Sequence, residues 1–233
     1  MDRITRSKLK GDRFAEEVEH SVEFVAEHKK QAIQYGAIAM AVALVIGGIW
    51  YYRDRQHTER QDKLAAAMDI VQAPVSPGAP PGQLFYTTDA LKNAAEEKAF
   101  KEIIDKYSGS DEATVASSYL GALSMDEGKT ADAEKYFLRV ADSGNKNYAS
   151  MGKLSLAQVY LSTNRAAQGE KLLRDLYEHP TMFVSKEQGA IALARAISST
   201  NPAEARKLLE PLRTQRAAIS QTAITLLSEL PQK

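Results

Sequence analysis

Cysteine is absent from the 233 residues. That excludes disulfides, cysteine–zinc sites and thiol catalysis, and it is compatible with any redox compartment. Net charge is absent too, because 30 Lys and Arg balance 30 Asp and Glu. The balance argues against a basic nucleic-acid binder and against an acidic solvating tail. Breakers are few: 13 Gly and 8 Pro, with four of the prolines crowded into residues 74–81. A chain so poor in breakers and 26% charged favours helices over strands or disorder. Nucleotide and nucleophile motifs of the GxxxxGK[ST], GxGxxG and GxSxG kind are missing. The histidines, His20, His28, His57 and His179, are scattered, and none has an HExxH-like partner. No metal, no cofactor and no catalysis are therefore expected.

What is present first is an apolar run. Residues 31–52, QAIQYGAIAMAVALVIGGIWYY, carry no formal charge. As a helix they span roughly 33 Å, enough for a hydrocarbon core of about 30 Å. Trp50, Tyr51 and Tyr52 close one end and Tyr35 lies near the other, as an aromatic belt requires. The charged stretch ahead of the run is too long for a secretory leader, and no small-residue cleavage site follows, so the expectation is an uncleaved single-pass anchor. Positive charge leaves its orientation open. Seven Lys/Arg precede the run and four follow within 20 residues, but the nearest 15 residues on each side count two against four. Ahead of the span, Phe14, Val18, Val22 and Val25 predict an amphipathic helix over about 12–29 with an acidic polar face.

Beyond the run, residues 53–72 read as a juxtamembrane helix with Leu64, Met68 and Val71 on one side. Residues 73–82, APVSPGAPPG, cannot be helical and predict a semi-stiff extended linker. The expected divisions are a tail over 1–30, a transmembrane helix over 31–52, the juxtamembrane helix over 53–72, a Pro/Gly-rich linker over 73–88 and a repeat domain over 89–230.

The repeat has a 36-residue period. Ala133, Gly169 and Ala205 fall in one column, Phe137, Leu173 and Leu209 in a second, and Val140, Leu176 and Leu212 in a third. Upstream, Leu120, Leu156 and Ala192 align, as do Gly121, Ala157 and Leu193, while Gly128, Asn164 and Thr200 align at a turn. Each unit thus reads as a helical hairpin. A small residue at 133, 169 or 205 lets the two helices approach, and the apolar residues at the next two columns fill the groove. Pro202 suits the first turn of its helix, and Pro180 ends the second unit. Hairpins of this kind bury their apolar faces only by stacking. Residues 89–107 read as a degenerate first unit and 214–230 as a C-terminal capping helix. The fold class expected is all-α: a single transmembrane helix, then an α-solenoid of helix hairpins with that cap.

These columns resemble tetratricopeptide repeats (TPR) over about residues 89–212, at a period of 36 where that family has 34. The match rests on Leu120-Gly121, Leu156-Ala157 and Tyr160 in first helices, and on Ala133 with Phe137 and Ala205 with Leu209 in second helices. The resemblance implies that first helices line a groove. By the 36-residue alignment its lining would be Val115, Ser118, Ala122 and Met125, then Met151, Leu154, Gln158 and Leu161, then Ala190, Ala194 and Ile197. These are mostly small or apolar, and the Lys/Asn set of carboxylate-clamping repeats is missing. Such a groove would accept an apolar or amphipathic segment, with Met125 and Met151 as adaptable contacts, or would be filled by the chain's own C-terminal helix or residues 64–71.

The layout as a whole, with the string FVAEHKKQAIQYGAIAMAVALVIGGIWYY, is similar to the YfgM-like family of ancillary SecYEG translocon subunits. That resemblance implies a bacterial inner-membrane protein with a cytoplasmic N-terminus and periplasmic repeats. Its implied partners are SecYEG, a membrane-anchored periplasmic chaperone and exported polypeptides. The alternative is a periplasmic repeat scaffold that coordinates cell division or envelope assembly.

Overall fold

The computed structural model describes residues 29–78, 80 and 82–231. The amphipathic helix expected over 12–29 falls almost wholly outside that range. Among the described residues there are nine α-helices and one 3-10 turn. The α-helices are numbered α1 to α9 here. Two compact units are distinguished, Met1–Thr58 and Glu59–Lys233.

α1 runs without a break over Lys29–Gln72. In the first unit its described apolar side chains are exposed: Ile33, Leu44 and Trp50 are 63%, 72% and 71% exposed. It is the one helix, among the described residues, long and apolar enough to cross a membrane.

The second unit starts earlier than the expected residue 89. Leu64, Ala67, Met68 and Val71, at the end of α1, pack with Phe100, Ile103 and Ile104 of α2 (Asp89–Lys106). Glu59 accepts hydrogen bonds from Lys106 Nζ at 2.7 Å and Tyr107 Oη at 2.9 Å, and Arg60 pairs with Glu112 at 3.2 Å. The end of α1 is therefore the first helix of a hairpin. The segment between its two helices is not the extended linker expected. Ser76 N–H donates to Tyr86 O at 2.9 Å and Tyr86 N–H donates to Pro74 O at 3.0 Å, so the loop closes on itself. Proline removes donors and helical options but leaves its carbonyl free to pin the return.

Three further hairpins follow: α3 (Asp111–Asp126) with α4 (Thr130–Ala141), α5 (Lys146–Ser162) with α6 (Ala166–Glu178), and α7 (Lys186–Ile197) with α8 (Pro202–Leu209). A 3-10 turn, Glu210–Thr214, leads to α9 (Ala217–Glu229). Caps explain the boundaries. Ser110 Oγ accepts from Ala113 N–H at 3.1 Å, and Ser185 forms a reciprocal capping box with Gln188. Pro202 occupies the first turn of α8 behind the Asn201 cap, as its position predicts.

All nine residues of the three second-helix columns are buried, from Ala133, Gly169 and Ala205 to Val140, Leu176 and Leu212. Bidentate ion pairs join successive units above this core. Arg165 grips Glu134 at 2.8 and 2.6 Å, and Arg174 grips Glu204 at 2.6 and 3.0 Å. Hydrogen bonds from these guanidinium groups hold both carboxyls below the usual carboxylate range.

The turns within the first two of these hairpins are backbone-closed. Gly128 and Asn164 have φ of +73° and +58°. Each lets the next N–H reach back five residues, Lys129 to Ser124 O at 2.7 Å and Arg165 to Tyr160 O at 2.9 Å. Thr200, the third member of that predicted column, does not share the conformation. Asn201 N–H bonds Ile197 O at 2.7 Å instead, which closes a turn one residue shorter.

Candidate interaction surface

The first helices follow a register that the 36-residue alignment misses. Leu120, Leu156 and Leu193 are 1%, 3% and 1% exposed, and the last two stand 37 residues apart. The small buried residues behind them are Gly121, Ala157 and Ala194, not Leu193. Close approaches obey the same spacing. A Cβ on Gly152 would meet Val140 C at 2.7 Å, and one on Gly189 would meet Tyr177 Cα at 3.0 Å.

The extra residue enters before α7. Pro180 stops α6, and the loop 179–185 is pinned to α5: Met182 N–H donates to Asn147 Oδ1 at 3.2 Å, and Thr181 and Ser150 hydroxyls share a bond at 2.7 Å. The loop buries Val184 and leaves Met182 84% exposed, with Phe183 edge-on to Tyr148. The shorter turn at Asn201 removes the residue again, so α8 returns to the 36-residue columns.

This slip corrects the candidate groove. Ala190, Ala194 and Ile197 do not line it; they are 2%, 1% and 1% exposed, within the cluster that holds Ala223 and Leu226 of α9 and Leu230 just after it. One residue of slip turns a helix by about 100°, which moves a lining position into the core. The positions that replace them are Gln188, Ile191, Arg195 and Ser198. Their exposure follows that of the earlier helices. Gln188 is exposed like Met151, Arg195 is exposed like Ala122 and Gln158, and Ile191 is half-buried like Ser118 and Leu154. Ser198 is half-buried, as are Met125 and Leu161; Val115 is half-buried where Met151 is exposed. Gly152 and Gly189, 37 apart in the sequence, are the signal that could have found this register.

The resulting face, over α3, α5 and α7, has a half-buried central row of Ser118, Leu154 and Ile191, and an exposed row of Ala122, Gln158 and Arg195. The end of α1 does not occupy it; residues 64–71 pack on α2 and the start of the stack. Two cavities lie elsewhere. One of about 750 Å³ at the C-terminal end is lined by Pro202, Arg206, Pro211 and Leu227. Another of about 720 Å³ lies between the loops at Gly109 and Gly144. No group of three or more metal-ligating side chains comes together among the described residues.

A family described as a tetratricopeptide repeat-like domain matches residues 26–210. The matched stretch takes in the apolar part of α1 and every hairpin through α8. Comparison with curated proteins finds no match, and comparison with solved structures finds none. Stacked two-helix units with small residues at the crossings, and a match over most of the length, lead to one assignment: the chain belongs to the tetratricopeptide repeat-like domain family, whose members are protein-interaction modules.

Proposed function

We propose that this protein is a membrane-tethered interaction module that holds exported polypeptides near the Sec translocon, together with a membrane-anchored periplasmic chaperone. The observation that carries the reading is one chain joining a helix whose apolar residues from Ile33 to Tyr51 are exposed to a stack of helical hairpins of an interaction-module family. Leaving a Leu, Ile or Val side chain in water forgoes about 1.5–3 kcal/mol relative to burial. α1 exposes a long run of them, and lipid is the solvent that relieves this. The face on α3, α5 and α7 suits apolar segments of unfolded chains, which offer little fixed geometry to read. The Sec assignment draws its support from the juxtamembrane resemblance. On that reading the N-terminus is cytoplasmic and the repeats are periplasmic in the bacterial inner membrane.

Photocrosslinking from Met151 and Ile191 in intact membranes, followed by mild solubilisation, tests the partner. Adducts with translocon subunits, a periplasmic chaperone and exported chains are the expected result. Adducts confined to cell-division or envelope-assembly proteins would replace this reading with that of an envelope scaffold. An alkaline phosphatase fused to the C-terminus is expected to be active, and an inactive fusion would overturn the orientation.

A further inference from the structure

The second unit begins at Glu59, and Glu59 marks one end of its stack. Lys106 and Tyr107 bind it there, just ahead of the loop between α2 and α3. Hydrogen bonds link the loops at that end. Arg139, in the last turn of α4, donates to Ser108 of the first loop at 2.8 Å, and Asn145, ahead of α5, donates to Asp111 at 3.1 Å. The loop 179–185 follows, pinned to Asn147 and Ser150 of α5.

Met182, 84% exposed, is the most exposed large apolar residue among those described, ahead of every one in the apolar run of α1. Phe183 stands beside it, 41% exposed. The backbone cannot turn them inward. Thr181 N–H donates to Val184 O at 2.9 Å, Val184 N–H donates to Thr181 Oγ1 at 3.1 Å, and the buried Val184 holds the base. Residues 179–185, HPTMFVS, have no carboxylate, and Lys146 and Lys186 beside them are exposed. Glu178 and Glu187 on either side offset those charges, so the chemistry asks for apolar contact rather than for anionic lipid. An apolar tip with a Phe–Tyr pair at its base and lysines able to extend past it suits the headgroup boundary of a bilayer.

Chain length decides which surface is within reach. Six residues, 53–58, separate Tyr52 at the end of the apolar run from Glu59. Seven Cα steps extend at most about 25 Å in any conformation. With the run in a bilayer, this end of the stack therefore stays near the headgroups. A tether so short holds even a weak contact at high effective concentration.

We propose that Met182 and Phe183 form a lipid-contact knob that docks the repeat stack on the bilayer holding α1. The proposal rests on the reading that the apolar run spans that bilayer. Met182 and Phe183 enter the acyl boundary, while Lys146 and Lys186 reach lipid phosphates.

The native chain has no cysteine, so a single introduced one carries a fluorescent label without background. The test uses the full chain at low density in phosphatidylcholine vesicles. One label sits at Gly144→Cys, in the neighbouring loop, where a Cβ meets nothing within 4 Å. A second sits at Ser199→Cys, in the turn at the opposite end of the stack. Headgroup spin-labelled lipid is expected to quench the label at 144 and to spare the label at 199. Substituting both Met182→Ser and Phe183→Ser removes only exposed side chains. It should lower the docked-to-free ratio by about tenfold and bring quenching at 144 down to the level at 199. Equal quenching at 144 and 199 in the native background, or quenching at 144 that the double substitution leaves unchanged, overturns the knob and assigns Met182 and Phe183 to a protein partner. A label at Leu44→Cys reports the span separately. Quenching there by acyl-chain spin label is expected, and its absence overturns the span and the knob together.

Discussion

In the second helices, Ala133, Gly169 and Ala205 stand 36 residues apart without deviation; in the first helices, Gly152 and Gly189 stand 37 apart. Each second helix is held between the first helix of its own unit and that of the next, and its three buried columns keep their spacing. The first helices keep one face open, and the loop ahead of α7 is free to vary in length. A residue gained there is removed at the Asn201 turn before it reaches α8. The second-helix columns show no drift, while the outward face of α7 is re-aimed by a change in one loop.

The strongest way to break this comparison is to truncate the residue that distinguishes the two registers. Leu193→Ala should cost about 2–5 kcal/mol in chemical denaturation, as for other buried leucines. Ala192→Ser, the same column under a strict 36-residue period, is half-buried at the edge of the core and should cost less, about 0.5–1 kcal/mol. A reversal of that order would restore the 36-residue register and return Ala190, Ala194 and Ile197 to the open face.

Next in size is Gly152→Ala. The added Cβ would fall 2.7 Å from Val140 C and closer still to Ala141 N, backbone that cannot rotate away. A loss of about 2–3 kcal/mol is expected, at the upper end of overpacking costs. Gly189→Ala meets its neighbours at 3.0–3.2 Å and should cost less, about 1 kcal/mol. Thermal unfolding of the two variants side by side ranks the approaches of α5 on α4 and α7 on α6.

The turns separate the hairpins more gently. Asn164→Val should lose about 1–2 kcal/mol, because a branched side chain resists a left-handed backbone, whereas Asn164→Gly should be nearly neutral. Thr200→Gly gains no such relief and should lose a few tenths to about 1 kcal/mol through unfolded-state entropy. Matching effects at 164 and 200 would mean that the two turns share a conformation after all.

The smallest effect concerns the ladder. Glu204 titrates below its ordinary value because Arg174 hydrogen-bonds its carboxylate. A depressed folded pKa means that the pair's stabilisation is present above the unfolded carboxylate value, near 4.3, and is lost as pH falls through the folded one. Glu204→Gln should cost under about 1 kcal/mol at neutral pH, since the pair is partly exposed, and nothing extra in acid. A variant that retained the native acid dependence undiminished would remove the pair from that role.

Much of the fold was legible because its rules are local. Helix periodicity marked α3 to α9 before any contact was known. Small residues at 133, 169 and 205 marked the crossings, Pro202 a helix start, and Gly128 and Asn164 turns. The open face was legible only in part. Val115, Ser118, Ala122 and Met125, with their successors on α5, keep at least partial exposure, but the third set was displaced by one position. The column alignment used Ala192, which matches Leu120 and Leu156 in apolarity but not in size. Volume was the neglected signal, and it favours Leu193. The loop over 73–88 was misjudged for another reason. Its prolines forbid helix, yet whether it extends or folds back depends on Tyr86 meeting Pro74 and Ser76, a pairing that no local pattern announces.

Taken alone, the sequence determined that this chain is helical, that one helix is apolar enough for lipid, and that its hairpins repeat and must stack. Those properties follow from side-chain spacing along a 3.6-residue turn and from the cost of leaving apolar surface in water. Tertiary structure alone decided where the stack begins, at Glu59 rather than after the prolines, and which residue of each first helix faces outward. Both depend on contacts between segments far apart in the chain, where burial of one leucine instead of its neighbour chooses the register.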